Sequence, residues 1–204
     1  MLKIWGRTNS VNVKKALWCL EELGLPYERT DAGMQYGVVN TPEYRKMNPN
    51  GLVPTLEEDG FILWESHSIV RYLAAKYGKG VLWPMDERTR ALASQWMDWA
   101  FSFQTGLRNV FWGLVRTPPE KRDLTAIEEG RKKCGEMLAI LDAALADKHY
   151  VAGAFSMGEI PIGCHVQVWM RLPVERPRQP NLESWFARLC ARPAYKKFVD
   201  IPLS

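Results

Sequence analysis

The chain has 204 residues, of which 47% are hydrophobic and 25% charged, and its formal net charge is +4. That is enough for one large domain or two small ones around a real core, and it excludes a disordered or low-complexity protein. No apolar run reaches the roughly 18 residues that a membrane span needs, so a soluble, cytoplasmic protein is expected. Cys19, Cys134, Cys164 and Cys190 are far apart and form no C-x-x-C pair, which suits reduced core thiols. His67, His149 and His165 have no cysteine or carboxylate at ligand spacing, so no metal is expected. Between Arg171 and Ser204, seven Lys or Arg face three acids. These bases are interspersed with proline and acids and lack a reader motif, which argues against a nucleic-acid surface.

Leu2 to Trp5 alternates like a strand. Val13, Ala16, Leu17, Leu20 and Leu23 then recur at helical spacing until Gly24, a good C-cap. Tyr27 to Thr30 reads as a second strand, parallel to the first because a single helix joins them. Thr41-Pro42-Glu43 starts a short helix running to about Met47. Val53 to Glu57 and Phe61 to Trp64 flank an Asp59-Gly60 turn, a strong hairpin signal. Ser66 to Tyr77 is a helix that ends at Gly78. Beyond Asp86 only helices are predicted: Asp86 to Val115, Asp123 to Lys148, one capped by the Ser156-Met157-Gly158-Glu159 box, and a last one from Asn181 through Leu189. Pro161 conflicts with the third of these. The expected organisation is α/β plus all-α: a thioredoxin-like domain with a mixed four-stranded sheet over 1–78, a linker over 79–87, and an all-helical domain over 88–204.

One segment joins these elements to chemistry. In Asn50-Gly51-Leu52-Val53-Pro54-Thr55-Leu56, a proline at the start of a strand removes a ladder donor, which points to an edge and leaves the Val53 N–H and C=O free for a ligand. X-Pro bonds are also where cis peptides occur. Nine residues after Leu56, Glu65-Ser66 opens a helix whose first N–H groups make a carboxylate site. Together they read as a cleft for a short peptide.

These residues, with the Gly6 to Glu28 unit and the Gly153 to Gly163 segment, resemble the glutathione transferase family over essentially the whole chain. The resemblance implies the fold given above, glutathione as co-substrate, no metal, a hydrophobic electrophile bound by the helical domain, a homodimer, and a role in detoxification. It places the Val53 backbone and Pro54 against the cysteinyl unit, with Glu65 and Ser66 around the γ-glutamyl end. The glycine carboxylate usually meets a base just before Val-Pro or in the preceding loop. This chain has Leu52, Val39 and Asn40 there, which leaves either weak glutathione binding or a different base such as Arg7 or Lys46 in that role.

A thiol of pKa ~8.5 is only a few per cent ionised at pH 7. Lowering it by two units takes ~2.7 kcal/mol; a hydroxyl hydrogen bond to the anion supplies about 1.5 to 3 and a helix N-terminus up to about 2. Both are available where Gly6-Arg7-Thr8-Asn9-Ser10 runs into the first helix. The resembled family stabilises the thiolate from this loop by a tyrosine, serine or cysteine; since no tyrosine precedes Tyr27 and no cysteine precedes Cys19, the resemblance implies Ser10 as the donor, with Asn12 second and Thr8 and Asn9 as rivals. Plain N-capping is the competing role for Ser10. The S-x-N-V run resembles bacterial transferases close to the theta and nu types. Trp96, Trp99, Phe101, Phe103, Phe111 and Trp112 line a helix that would shape the electrophile pocket or simply pack the core, and Asp98 is a candidate contact to a partner subunit's glutathione. Alternatives are a non-catalytic interaction module of the same fold and a glutathione-dependent peroxidase.

Overall fold

Four short strands pair into one sheet, with its buried face supplied mainly by Leu2 and Ile4 of the first and Leu56 of the third. The computed structural model describes residues 1–203. Its first part runs β1 (Leu2–Trp5), α1 (Val11–Glu22), β2 (Tyr27–Thr30), α2 (Pro42–Met47), β3 (Thr55–Glu58), β4 (Phe61–Trp64) and α3 (Ser66–Tyr77). The sheet order is β2-β1-β3-β4, with β1 parallel to β2 and antiparallel to β3, and β3 antiparallel to β4. Asp59 and Gly60 form the two-residue hairpin turn with φ of 49° and 86°, the positive values that a turn matched to strand twist requires.

The sequence reading expects an edge strand after Pro54, and this is corrected. β3 lies inside the sheet, and the proline is tolerated because the ladder begins only at Thr55. Val53 therefore sits past the end of the strand rather than on its flank.

From Glu87 onward the long elements are helices, with only isolated bridges around Tyr150 to Ala154 between them: α4 (Glu87–Phe111), a π-helical turn (Trp112–Arg116), α5 (Leu124–Ala144), α6 (Glu159–Arg171), α7 (Pro180–Ala191) and α8 (Pro193–Phe198). The long helix predicted to Val115 changes pitch at Trp112, where Gly113 lets the chain approach α5. A Cβ on that glycine would lie 2.5 Å from Ile127 Cγ1. Pro161 is no conflict, since it is the third residue of α6, where the missing N–H has no partner within the helix in any case.

The box before α6 forms with one change. Glu159 Oε2 accepts from the Ser156 N–H at 2.9 Å as expected, but the Ser156 oxygen accepts from Gly158 N at 3.3 Å instead of from Glu159 N. Asn181 is likewise inside α7 rather than its cap. Pro180 takes the first position, and Asp142 of α5 accepts from Leu182 N at 2.9 Å and from Asn181 Nδ2 at 3.2 Å, so a side chain from another helix closes this N-terminus.

α1 is the hinge of the packing. Val13, Ala16, Leu17, Trp18 and Leu20 are fully buried, and Trp18 meets Tyr195 edge-on at 4.8 Å. Bonds from Arg192 to Glu22 (2.6 Å) and from Lys14 Nζ to Val199 O (3.2 Å) tie α1 to the C-terminal helices. Cys19, Cys134 and Cys164 are buried and unpaired, and Cys190 is half-buried and unpaired. Among the described residues no helix is long and apolar enough to cross a membrane.

Candidate active site

The β1–β3 register sets Trp5 opposite Thr55, so the chain leaving β1 (Gly6 to Ser10) and the chain approaching β3 (Leu52 to Pro54) run side by side. Gly33 closes the same corner: a Cβ there would meet Arg7 Nη1 at 3.1 Å and Val53 Cγ2 at 3.4 Å. Over this corner opens a cavity of about 620 Å³, within the usual range for small-molecule sites. Arg7, Ser10, Asn12 and Val53 line one wall, and Gln104, Arg108, Phe111, Trp112 and Arg116 the other.

Ser10 is the N-cap of α1 by backbone geometry, yet its side chain makes no capping hydrogen bond. Its hydroxyl therefore remains available at the cavity wall, beside first-turn amides that have no partner within the helix. Asn12 is oriented from below. Lys15, fully buried, donates to Asn12 Oδ1 at 2.9 Å and lies 3.0 Å from His67 Nε2. An ammonium only donates, so the Asn12 carbonyl must face it and the amide hydrogens are left for another partner.

Burial pushes Lys15 down to about 8. It pushes His67 down to about 2, with the Lys15 and Arg71 charges adding to the effect, so the His67 ring is neutral and accepts from Lys15. Phe101 stacks on that ring at 3.9 Å. His165 is held well below its ordinary value by burial, then by Lys15 and His67. Lys15 is thus a buried cation beside the neutral His67 ring, while the buried Lys14 and His165 line the cavity itself.

Val53 is joined to Pro54 by a cis peptide bond, and no hydrogen bond within the described residues engages the Val53 N–H or C=O. The preceding loop is held firmly: Tyr44 Oη and Asn48 Nδ2 both donate to Leu52 O, at 2.7 and 2.9 Å. Trp64 pairs with Thr55, so the chain beyond it brings Glu65 beside Pro54. Glu65 has φ of 71°, a left-handed conformation that costs a non-glycine residue about 1 to 3 kcal/mol and recurs where function fixes the backbone. It turns the chain so that Ser66 becomes the first residue of α3, buried, while the Glu65 side chain stays exposed. Pro54, Glu65 and Ser66 are not among the cavity's walls; they adjoin it past Val53. Asp98 is engaged within its own chain by Arg71.

Sequence reasoning did not single out Lys15, Arg108 or Arg116. The signal for the last two was present: Gln104, Arg108, Phe111, Trp112 and Arg116 follow one another at spacings that keep them on one helical face.

The model of the glutathione S-transferase N-terminal domain matches residues 9–76. Glutathione S-transferase GstB of Escherichia coli K12 is 46% identical over 208 aligned positions, which cover all of both chains. The chain belongs to the glutathione S-transferase family. Among solved structures of the family, the theta-class glutathione S-transferase of Xanthomonas axonopodis pv. citri, crystallised with glutathione bound, is 48% identical. It superposes with a TM-score of 0.95 over 100% of this chain and 99% of that one. Its apo form gives 0.87 at 44% identity, over 100% and 98%. Glutathione transferase F7 of Populus trichocarpa, at 25% identity, gives 0.87 over 97% of each chain. A glutathione S-transferase fold thus frames the serine, the unpaired Val53 backbone and the α3 N-terminus described above.

Proposed function

We propose that glutathione lies extended along Val53 with its sulfur at Ser10, which stabilises the thiolate for attack on a hydrophobic electrophile. The activity is that of a glutathione S-transferase, with glutathione as co-substrate. One observation carries the residue assignment: a helix N-cap serine at the cavity wall whose hydroxyl makes no capping bond. N-capping, the competing role, would engage that oxygen. A hydroxyl donor and unpaired helix amides together supply up to about 5 kcal/mol in favour of the anion, enough to cover the ~2.7 kcal/mol that two pKa units require.

The Asn12 amide hydrogens, oriented by Lys15, supply a second donor. Val53 N–H and C=O pair with the cysteinyl backbone. Ser66 and the first amides of α3 take the γ-glutamyl carboxylate, and Glu65 its ammonium. For the glycine carboxylate Arg7 is the better placed of the two candidate bases, because it lines the cavity while Lys46 is exposed outside it. The unit over 1–78 is the glutathione half and 88–204 supplies the electrophile wall. The protein acts as a cytoplasmic homodimer in this reading.

The test is steady-state conjugation of a chloronitrobenzene with calorimetric titration of glutathione, for wild type and Ser10→Ala. Loss of the hydroxyl is expected to lower kcat/KM roughly 10- to 100-fold while glutathione affinity changes by less than about threefold. Equal turnover by the variant, or larger damage from Asn12→Ala, would remove Ser10 from the role.

A further inference from the structure

Asn12 can serve the sulfur only with its side chain turned the right way round. The two ends of a primary amide are nearly the same size, so packing does not choose between them and hydrogen bonding must. Lys15 stands one turn further along α1, fully buried, with Nζ 2.9 Å from Asn12 Oδ1 and 3.0 Å from His67 Nε2. Among the described residues these are its hydrogen-bond partners, and no carboxylate pairs with it. Glu65, whose charge acts on it, is exposed, and Asp98 is held by Arg71.

A buried ammonium costs stability, and a methionine would fill the same length of space without that cost. The lysine is nevertheless held firmly from its other side. His67 is the second residue of α3, directly after Ser66, and Phe101 stacks on its ring at 3.9 Å. Burial, then the charges of Lys15 and Arg71, keep that ring neutral, so its Nε2 accepts from the ammonium. Neither Lys15 nor His67 lines the cavity. Together they form a brace that runs from the start of α3, beside the γ-glutamyl end of the site, to the amide at the sulfur end.

Resting on the transferase reading, we propose that Lys15 and His67 are positioning residues of the reaction: the His67 ring holds the Lys15 ammonium on the Asn12 oxygen, and this keeps the Asn12 amide hydrogens turned to the sulfur of bound glutathione. Without the brace the amide is free to turn over. Its oxygen, which only accepts, then faces the thiolate and disfavours it.

The test is spectroscopic titration of the thiolate in the binary complex, with calorimetric titration of glutathione and thermal unfolding, for Lys15→Met, Lys15→Arg and His67→Leu. Lys15→Met should raise the pKa of the bound thiol by about 0.5 to 1 unit and lower kcat/KM below that pKa about 3- to 10-fold, the worth of one hydrogen bond. Glutathione affinity should stay within about twofold, and Tm should be unchanged or higher, because a dehydrated charge has gone. Lys15→Arg, which also only donates, should lose less, and His67→Leu should act in the same direction by a smaller amount. In an Asn12→Ala background Lys15→Met should have no further effect, since no amide is left to hold.

A bound thiol whose pKa Lys15→Met leaves in place, or a rise of equal size in the Asn12→Ala background, overturns the proposal. The transferase reading then still stands, provided that wild-type protein lowers the thiol pKa and Ser10→Ala returns it. The His67 variant carries the same comparison if loss of Lys15 prevents folding. A thiol that titrates in the wild-type complex as it does free in solution defeats both readings together.

Discussion

Asn12 is the residue whose role depends most on a neighbour invisible in sequence. Lysine and asparagine three apart on a helix read as a solvated pair, and only the packing of α1 against α3 and α6 turns Lys15 into a buried cation that fixes the amide. The substitution Asn12→Asp separates position from chemistry. The new carboxylate would still face Lys15, now as an ion pair, so the fold should hold with an unchanged or higher Tm. The amide hydrogens would be gone and a negative charge would stand near the sulfur. Conjugation should therefore fall more than about tenfold, and the rising limb of the pH–rate profile should move to higher pH, since a like charge raises the thiol pKa. A profile that stays in place would show that Asn12 has no part in holding the anion. By contrast, the local structure at Ser10, Val53 and Ser66 was legible because helix cap, proline and helix start are local signals.

At the scale of elements, the strands and the helices of the first half followed from periodicity and turn chemistry, and Asp59-Gly60 set the hairpin unaided. The departures cluster where distant segments decide. β3 is internal because β4 folds back over it. α7 starts at Pro180 because Asp142, 40 residues before Leu182, satisfies its amides. Glu159 shows how much one such contact can hold. Buried completely, it accepts from Val151 N at 2.6 Å, from Ser156 N at 2.9 Å and from Ser156 Oγ at 3.1 Å. Burial raises its pKa to about 7 against those hydrogen bonds. Glu159→Ala would leave two buried backbone donors unmatched, at about 1 to 3 kcal/mol each. For a chain of this size that corresponds to a Tm lower by roughly 4 to 24 °C, measurable by calorimetry. A change under about 2 °C would mean that water replaces the carboxylate and that the box contributes little.

On the scale of the whole molecule, the two-part architecture was legible from the change in patterning near Asp86 and a cleft was expected along Val53, whereas the residues of its second wall were not legible, because that wall exists only where the β1–α1 loop meets α4. That meeting gives the cavity its uneven walls: a polar corner of Ser10, Asn12 and Val53 and an arginine-flanked aromatic face. The aromatic helix was evident in sequence, but which of its residues turn inward depended on the change of pitch at Trp112. In the proposed reading, function follows from the opposition of these walls, one holding a thiolate and the other bringing an electrophile to it. The central claim, that the protein ionises bound glutathione through Ser10, is tested most directly by spectroscopic titration of the thiolate in the binary complex. The account predicts a thiol pKa about two units below the free value of ~8.5 in wild type, returning most of the way in Ser10→Ala with glutathione still bound. A bound thiol that titrates like the free one, or a lowered pKa that the substitution leaves untouched, would contradict it.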